Sequence, residues 1–177
     1  MPRYYPQQSA PLIPARVRLF FNDLTKPQEE LDQMTHGNDF LTEPEYDALT
    51  VLANKMVSAG RHGVGYSDYD HSSNNLPHFL KSLGFGSTDT ALHLTLGEFP
   101  IEEKGDSLII RDRFNFNEGT GFENPEHRKE DAAYSLKQAF SMSGSMDTYG
   151  RLRTIAGGFG SPEGHGQQLR FSVPRTK

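Results

Sequence analysis

Residues 91–117 read ALHLTLGEFPIEEKGDSLIIRDRFNFN, and their apolar side chains recur at every second position. A period of two puts alternate side chains on one face of an extended chain, so the run demands at least one half-buried antiparallel sheet. Leu92, Leu94 and Leu96 share one parity, and Phe99 and Ile101 share the other. A change of parity at Gly97 is what a β-bulge produces. EEKGDS supplies a turn. Leu108, Ile110, Phe114 and Phe116 then line one face of the returning strand, and Asp112 lies on that same face. The pattern predicts a hairpin of 91–101 with 107–117. QLRFSVP, residues 168–174, alternates Leu169, Phe171 and Val173 and predicts a last strand that Pro174 ends.

The rest of the chain contains helical signals. In LTEPEYDALTVLANKMVSAG, Thr42 and Glu45 form a capping-box pattern and Pro44 falls in the first turn. Tyr46, Leu49, Leu52, Ala53 and Met56 follow at helical spacing and Gly60 closes the run, which predicts a helix over 43–59. Shorter helices are predicted over 76–84, 127–140 and 148–158, with a polar loop or short strand over 61–75. These elements define an α+β domain over 23–177: a small antiparallel β-hairpin sheet with three to four helices.

Residues 1–22 carry Pro2, Pro6, Pro11 and Pro14. Proline fixes φ and lacks an N–H, so this segment is predicted as an extended N-terminal arm, with RVRLFF at 16–21 a candidate edge strand. Its Tyr4, Tyr5, Leu12, Ile13, Phe20 and Phe21 are costly to leave in water. Hydrophobic residues make up only 34% of the 177-residue chain, which suits one modest core that leans on neighbours for part of its burial. Net charge is −5, distributed as −9 over residues 1–150 and +4 over residues 151–177. An acidic body argues against nucleic-acid binding through a broad face. It fits homo-oligomerisation or docking to protein subunits through the arm and the basic C-terminal tail. No run of roughly 20 apolar residues predicts membrane insertion. With no cysteine, disulfides, thiolate–zinc sites and cysteine nucleophiles are excluded.

Three groups could carry chemistry. Asp68 and Asp70 lie two apart in GYSDYDH, on one face of an extended segment with His71 adjacent. Two carboxylates and an imidazole suit a hard cation such as Mg2+, whereas Asp side chains in a polar turn equally suit bonds to local backbone amides. Asp112 sits on the core-facing parity of its strand, where an acid must be paired, hydrogen-bonded or useful. His127 and Arg128 open a predicted helix, where a base and a phosphate-binding guanidinium could act, or where charge simply faces solvent.

The run from GYSDY through LTLGEFPIEEKGDSLIIRDRFNFN resembles a module found near the ends of bacteriocin and phage-borne proteins. Its recurrent features match here as Leu96, Gly97 and Phe99, then Asp112, Phe114, Asn115, Phe116 and Asn117. Among enzymes it is similar to the colicin M family, whose signature is Asp-x-Tyr-Asp, five residues, then His-Arg. That resemblance implies metal-dependent cleavage of lipid II between lipid and pyrophosphate, in the periplasm, with Asp112 as the acid, His127 as base, Arg128 as phosphate clamp and Asp68 and Asp70 assisting a metal. Here Phe114 replaces the Tyr, Asn115 replaces the second Asp, and eleven residues separate Asn115 from His127. Asn cannot act as a general base. The expectation is therefore a phage-associated structural or virion-internal protein without a cofactor, located in the virion or host cytoplasm, with the hydrolase as the alternative.

Overall fold

The computed structural model describes residues 11–69, 88–114 and 166–176. In chain order the described elements are α1 (Ala15–Thr25), α2 (Gln28–Leu31), β1 (Thr35–His36), α3 (Glu43–Ser58), β2 (Gly63–Val64), α4 (Thr88–Leu96), β3 (Phe99–Lys104), β4 (Ser107–Phe114) and β5 (Gln167–Pro174). Short 3-10 turns cover Asn38–Phe40 and Tyr66–Asp68. The protein is α+β, as expected, and the sheet is larger than a hairpin. The five described strands run in the order β1-β5-β4-β3-β2, and among them only the β1–β5 pair is parallel. Among the described residues no helix is long and apolar enough to cross a membrane.

β3 and β4 form the expected hairpin with a two-residue turn, Lys104 opposite Ser107. Gly105 occupies the first turn position at φ 61°, which a side chain resists and glycine adopts freely. Alternation along β4 and β5 buries Leu108, Ile110 and Phe114 with Leu169, Phe171 and Val173 on one face. α3 and α4 cover that face, and α1 packs against α4. Tyr46, Leu49, Ala53 and Met56 of α3 join Leu92 and Leu96 of α4 in the same core. Each of the leucines and Met56 contributes about 1.5–3 kcal/mol by leaving water.

The first arm of the predicted hairpin is corrected. Residues 88–96 are helical, and the strand begins only at Phe99. Leu92 and Leu96 are four apart as well as on one strand parity, so both bury on a helix face. Gly97 makes no bulge. It lies at φ 58° just past the helix, and its N–H donates to the His93 carbonyl at 2.8 Å.

The expected extended arm is also corrected in part. Residues 1–10 lie outside the described residues, but α1 spans the boundary drawn at 22–23 and RVRLFF is helical. Pro14 precedes the helix, where its missing N–H costs nothing. Pro14 offers no side-chain cap. The Ala15 N–H instead donates to the Glu45 carboxylate, at 3.1 Å to Oε1. Glu45 Oε2 also accepts from the Thr42 N–H at 2.9 Å, and Thr42 Oγ1 accepts from the Glu45 N–H. One buried carboxylate thus serves the N-termini of two helices, where the helix dipoles favour negative charge. Gln167, also buried, makes the second tie. Its Nε2 donates to the Leu19 carbonyl at 3.1 Å, and its Oε1 accepts from Asn22 Nδ2 at 2.9 Å.

Side chains close the outer edge of β5 where β1 ends. Asn38 acts as a mimic of a paired strand residue: its Nδ2 donates to the Ser172 carbonyl and its Oδ1 accepts from the Ser172 N–H, both at 2.8 Å. Asn54 Nδ2 donates to the Pro174 carbonyl, and its Oδ1 accepts from the Thr176 N–H. An edge satisfied in this way offers no template for another strand.

Burial pushes the Glu45 carboxyl above its ordinary 4.5, against the opposing pull of its Thr42 and Ala15 hydrogen bonds and the Arg18 charge. The native state therefore holds this proton more tightly than the unfolded chain does. Its contribution to stability is complete below the ordinary value and is lost as pH rises through the raised one. Denaturant titrations at several pH values test this. Relative to Glu45→Gln, the wild type loses stability as pH climbs from 5 towards neutrality. Glu45→Ala, which strands two buried N–H groups, destabilises the fold by about 2–4 kcal/mol at any pH.

Candidate functional site

Asp112 stands on the core-facing side of β4, opposite Leu169 of β5 and between the buried Ile110 and Phe114. It is half-buried. Its Oδ1 accepts from the backbone N–H of Arg113 at 2.8 Å. Arg111 and Arg113 project from the other face, as strand parity predicts. Arg111 pairs with Glu102 at 3.2 Å and Arg113 Nη1 donates to the Gly166 carbonyl at 3.1 Å.

The groups near Asp112 come from two elements. Tyr69, buried in the loop after β2, donates its hydroxyl to the Gly97 carbonyl at the end of α4. Burial first, then the charges of Asp112, Asp89, Asp68 and Glu98, push the Tyr69 phenol far above its usual range. This tyrosine is held protonated and acts as a donor. His93 of α4 lies between two rings, 4.5 Å from Tyr66 in an edge-on contact and 5.1 Å from Tyr69. Asp89 and His93 are four apart, so one helix face presents a carboxylate and an imidazole on the same side.

Asp89, His93 and Tyr69 escape the sequence reading. The run 91–96 fits a strand by its leucine alternation, Asp89 falls before it, and in a strand residues four apart lie about 13 Å from each other, too far to act together. The signal that finds them is the pairing of Asp89 in a first helical turn with Leu92 and Leu96 four apart.

Asp68 is engaged within its own turn. Arg61 holds it through two bonds, Nη1 to Oδ1 at 2.6 Å and Nη2 to Oδ2 at 2.7 Å. Asp68 Oδ2 also accepts from the Gly65 N–H at 2.7 Å. The Arg61 bond is the main cause that holds the Asp68 carboxyl below its ordinary range. Asp70, His71, His127 and Arg128 lie outside the described residues. Among the described residues no three acidic or histidine side chains form a group able to hold a metal ion. Chemically, the surroundings of Tyr69 gather a neutral phenol, the His93 imidazole and the charges of Asp112 and Asp89.

Comparison with known protein families, with curated proteins and with solved structures finds no match to this chain.

The Tyr69 environment is open to direct measurement. By NMR of ring carbons through an alkaline titration, Tyr69 stays protonated well past the ordinary tyrosine range, and Asp112→Asn moves the Tyr69 midpoint down. Tyr69→Phe removes the bond to Gly97 and costs about 0.5–1.5 kcal/mol of stability.

Proposed function

We propose that this chain is a structural subunit, carried by a phage as a virion component or virion-internal protein, that assembles with neighbouring subunits. The observation that supports this reading most is the apolar flank around α1. Leu12 is 97% exposed and Ile13 52%, and on the outward side of the helix Phe21 is 56% and Leu24 51% exposed. Phe21 and Leu24 are three apart on a helix and so present together. Four large apolar side chains within thirteen residues of chain are costly in water and useful at a contact. The resemblance to phage-borne modules supports the setting.

Sedimentation velocity tests the assembly. The wild-type chain associates at tens of micromolar, and Phe21→Glu with Leu24→Glu weakens association by roughly 100-fold or more, since each lost burial removes about 1.5–3 kcal/mol. Both positions are outside the core, so the circular dichroism of the variant matches wild type. A chain that stays monomeric throughout contradicts the reading.

The charge of Asp112 acting on the buried Tyr69, which His93 also contacts, supports a second reading, a colicin M-like hydrolase acting on lipid II. Asp112 would act as the acid, and Mg2+ would supply charge stabilisation at the pyrophosphate. Release of the pyrophosphoryl-linked headgroup by purified protein with Mg2+, lost in Asp112→Ala, supports it. No turnover removes it.

A further inference from the structure

One face of the sheet is covered by helices. On the other face, β4 and β5 set two arginines side by side. Arg111 lies directly opposite Arg170 in the strand register, and Arg113 lies opposite Gln168. The N–H and C=O groups of Ser172 point away from β4, to Asn38. By the alternation of an antiparallel ladder, Arg170 is therefore also a non-hydrogen-bonded position, where opposed side chains come closest, with about 4.5 Å between Cα atoms. Like charges at such a position repel and weaken the sheet. Arg111 has an ion-pair partner in Glu102, with both side chains more than half exposed. Arg170 is exposed and makes no ion pair or hydrogen bond through its side chain among the described residues. A guanidinium pair kept at this cost, on an open face, suits a partner that brings carboxylates to it.

The chain itself carries a matching surface. Its net charge is −5. The side of α3 turned away from the core presents Glu43 and Asp47 one turn apart, followed by Val51, 69% exposed. Helix residues four apart rise by about 6 Å, close to the roughly 4.5 Å between the Cα atoms of the opposed Arg111 and Arg170, so the carboxylates on α3 are spaced to meet this arginine pair. α3 packs on the covered face of the sheet, so the acidic stripe and the arginine face lie on opposite sides of the fold.

We propose that the open sheet face around Arg111 and Arg170 docks onto the Glu43–Asp47 side of α3 in a second copy of this chain. The contact is head-to-tail and therefore propagates from copy to copy. This inference rests on the assembly reading and names a polar contact distinct from the apolar α1 flank. The acidic stripe and the net negative charge disfavour a nucleic acid as the occupant.

Sedimentation velocity of the full chain at about 50 mM and 500 mM salt tests it, because surface ion pairs are screened over this range. The expected result is association at least tenfold weaker at high salt. Arg111→Glu with Arg170→Glu removes the salt-sensitive part, as does Glu43→Lys with Asp47→Lys, and mixing the two variants restores association. Circular dichroism of each variant confirms its fold. Association that ignores salt and both charge variants but is lost in Phe21→Glu overturns this inference and leaves the assembly reading standing. A monomer at every salt concentration overturns both. Retention of a single-stranded oligonucleotide by the wild type at physiological salt, lost in Arg111→Glu with Arg170→Glu, also overturns it and assigns the face to nucleic acid.

Discussion

The fold depends on one buried carboxylate. Glu45 closes its own helix through Thr42 and reaches across thirty residues of sequence to the first N–H of α1. Without that acceptor, α1 begins after a proline with no cap of its own. With it, the two helix ends share one negative charge, and α1 is fixed at the angle that buries Ala15 and Leu19. Gln167 holds the middle of the same helix to the start of β5. Two polar side chains with satisfied hydrogen bonds thus join the N-terminal segment to the fold alongside the buried Ala15, Val17 and Leu19. Such groups are costly to break and specific in what they accept.

That arrangement determines what the surface can offer. α1 is anchored on one side, so its other side presents Phe21 and Leu24. Asn38 and Asn54 complete the hydrogen bonds along the outer edge of β5, so partners are not recruited there by strand addition. What stays available is the α1 flank, the outward side of α3 and the open face of the sheet. The assembly reading draws on these three surfaces. Asp112, by contrast, is turned inward, bonded to the Arg113 N–H and set near a tyrosine that holds its proton.

The sequence revealed those elements whose determinants are local. The capping box and five apolar side chains at helical spacing located α3 to within a residue at its C-terminal end. Alternation located β4 and all but the first residue of β5, and parity put Asp112 on the core-facing side. Where two periods fit, the wrong one was read. Leu92 and Leu96 satisfy both strand and helix, and the contact with α3 and β4 decides for the helix. α1 escaped because its N-terminal cap is supplied by Glu45, which no local window contains, and because RVRLFF alternates. β1 and β2 are two residues each and exist only by pairing, so no pattern announces them. The neighbours of Tyr69 were illegible for the same reason as α4: Asp89 and His93 come within one turn of each other only once the helix is known.

Native-state hydrogen exchange on the unmodified chain tests most directly whether Glu45 makes α1 part of the folded body. The Ala15 and Thr42 amides, together with those of α1, are expected to exchange only with global unfolding, as slowly as the central amides of β4 and β5. Rapid exchange at Ala15 and along α1, with the sheet still protected, would contradict that role.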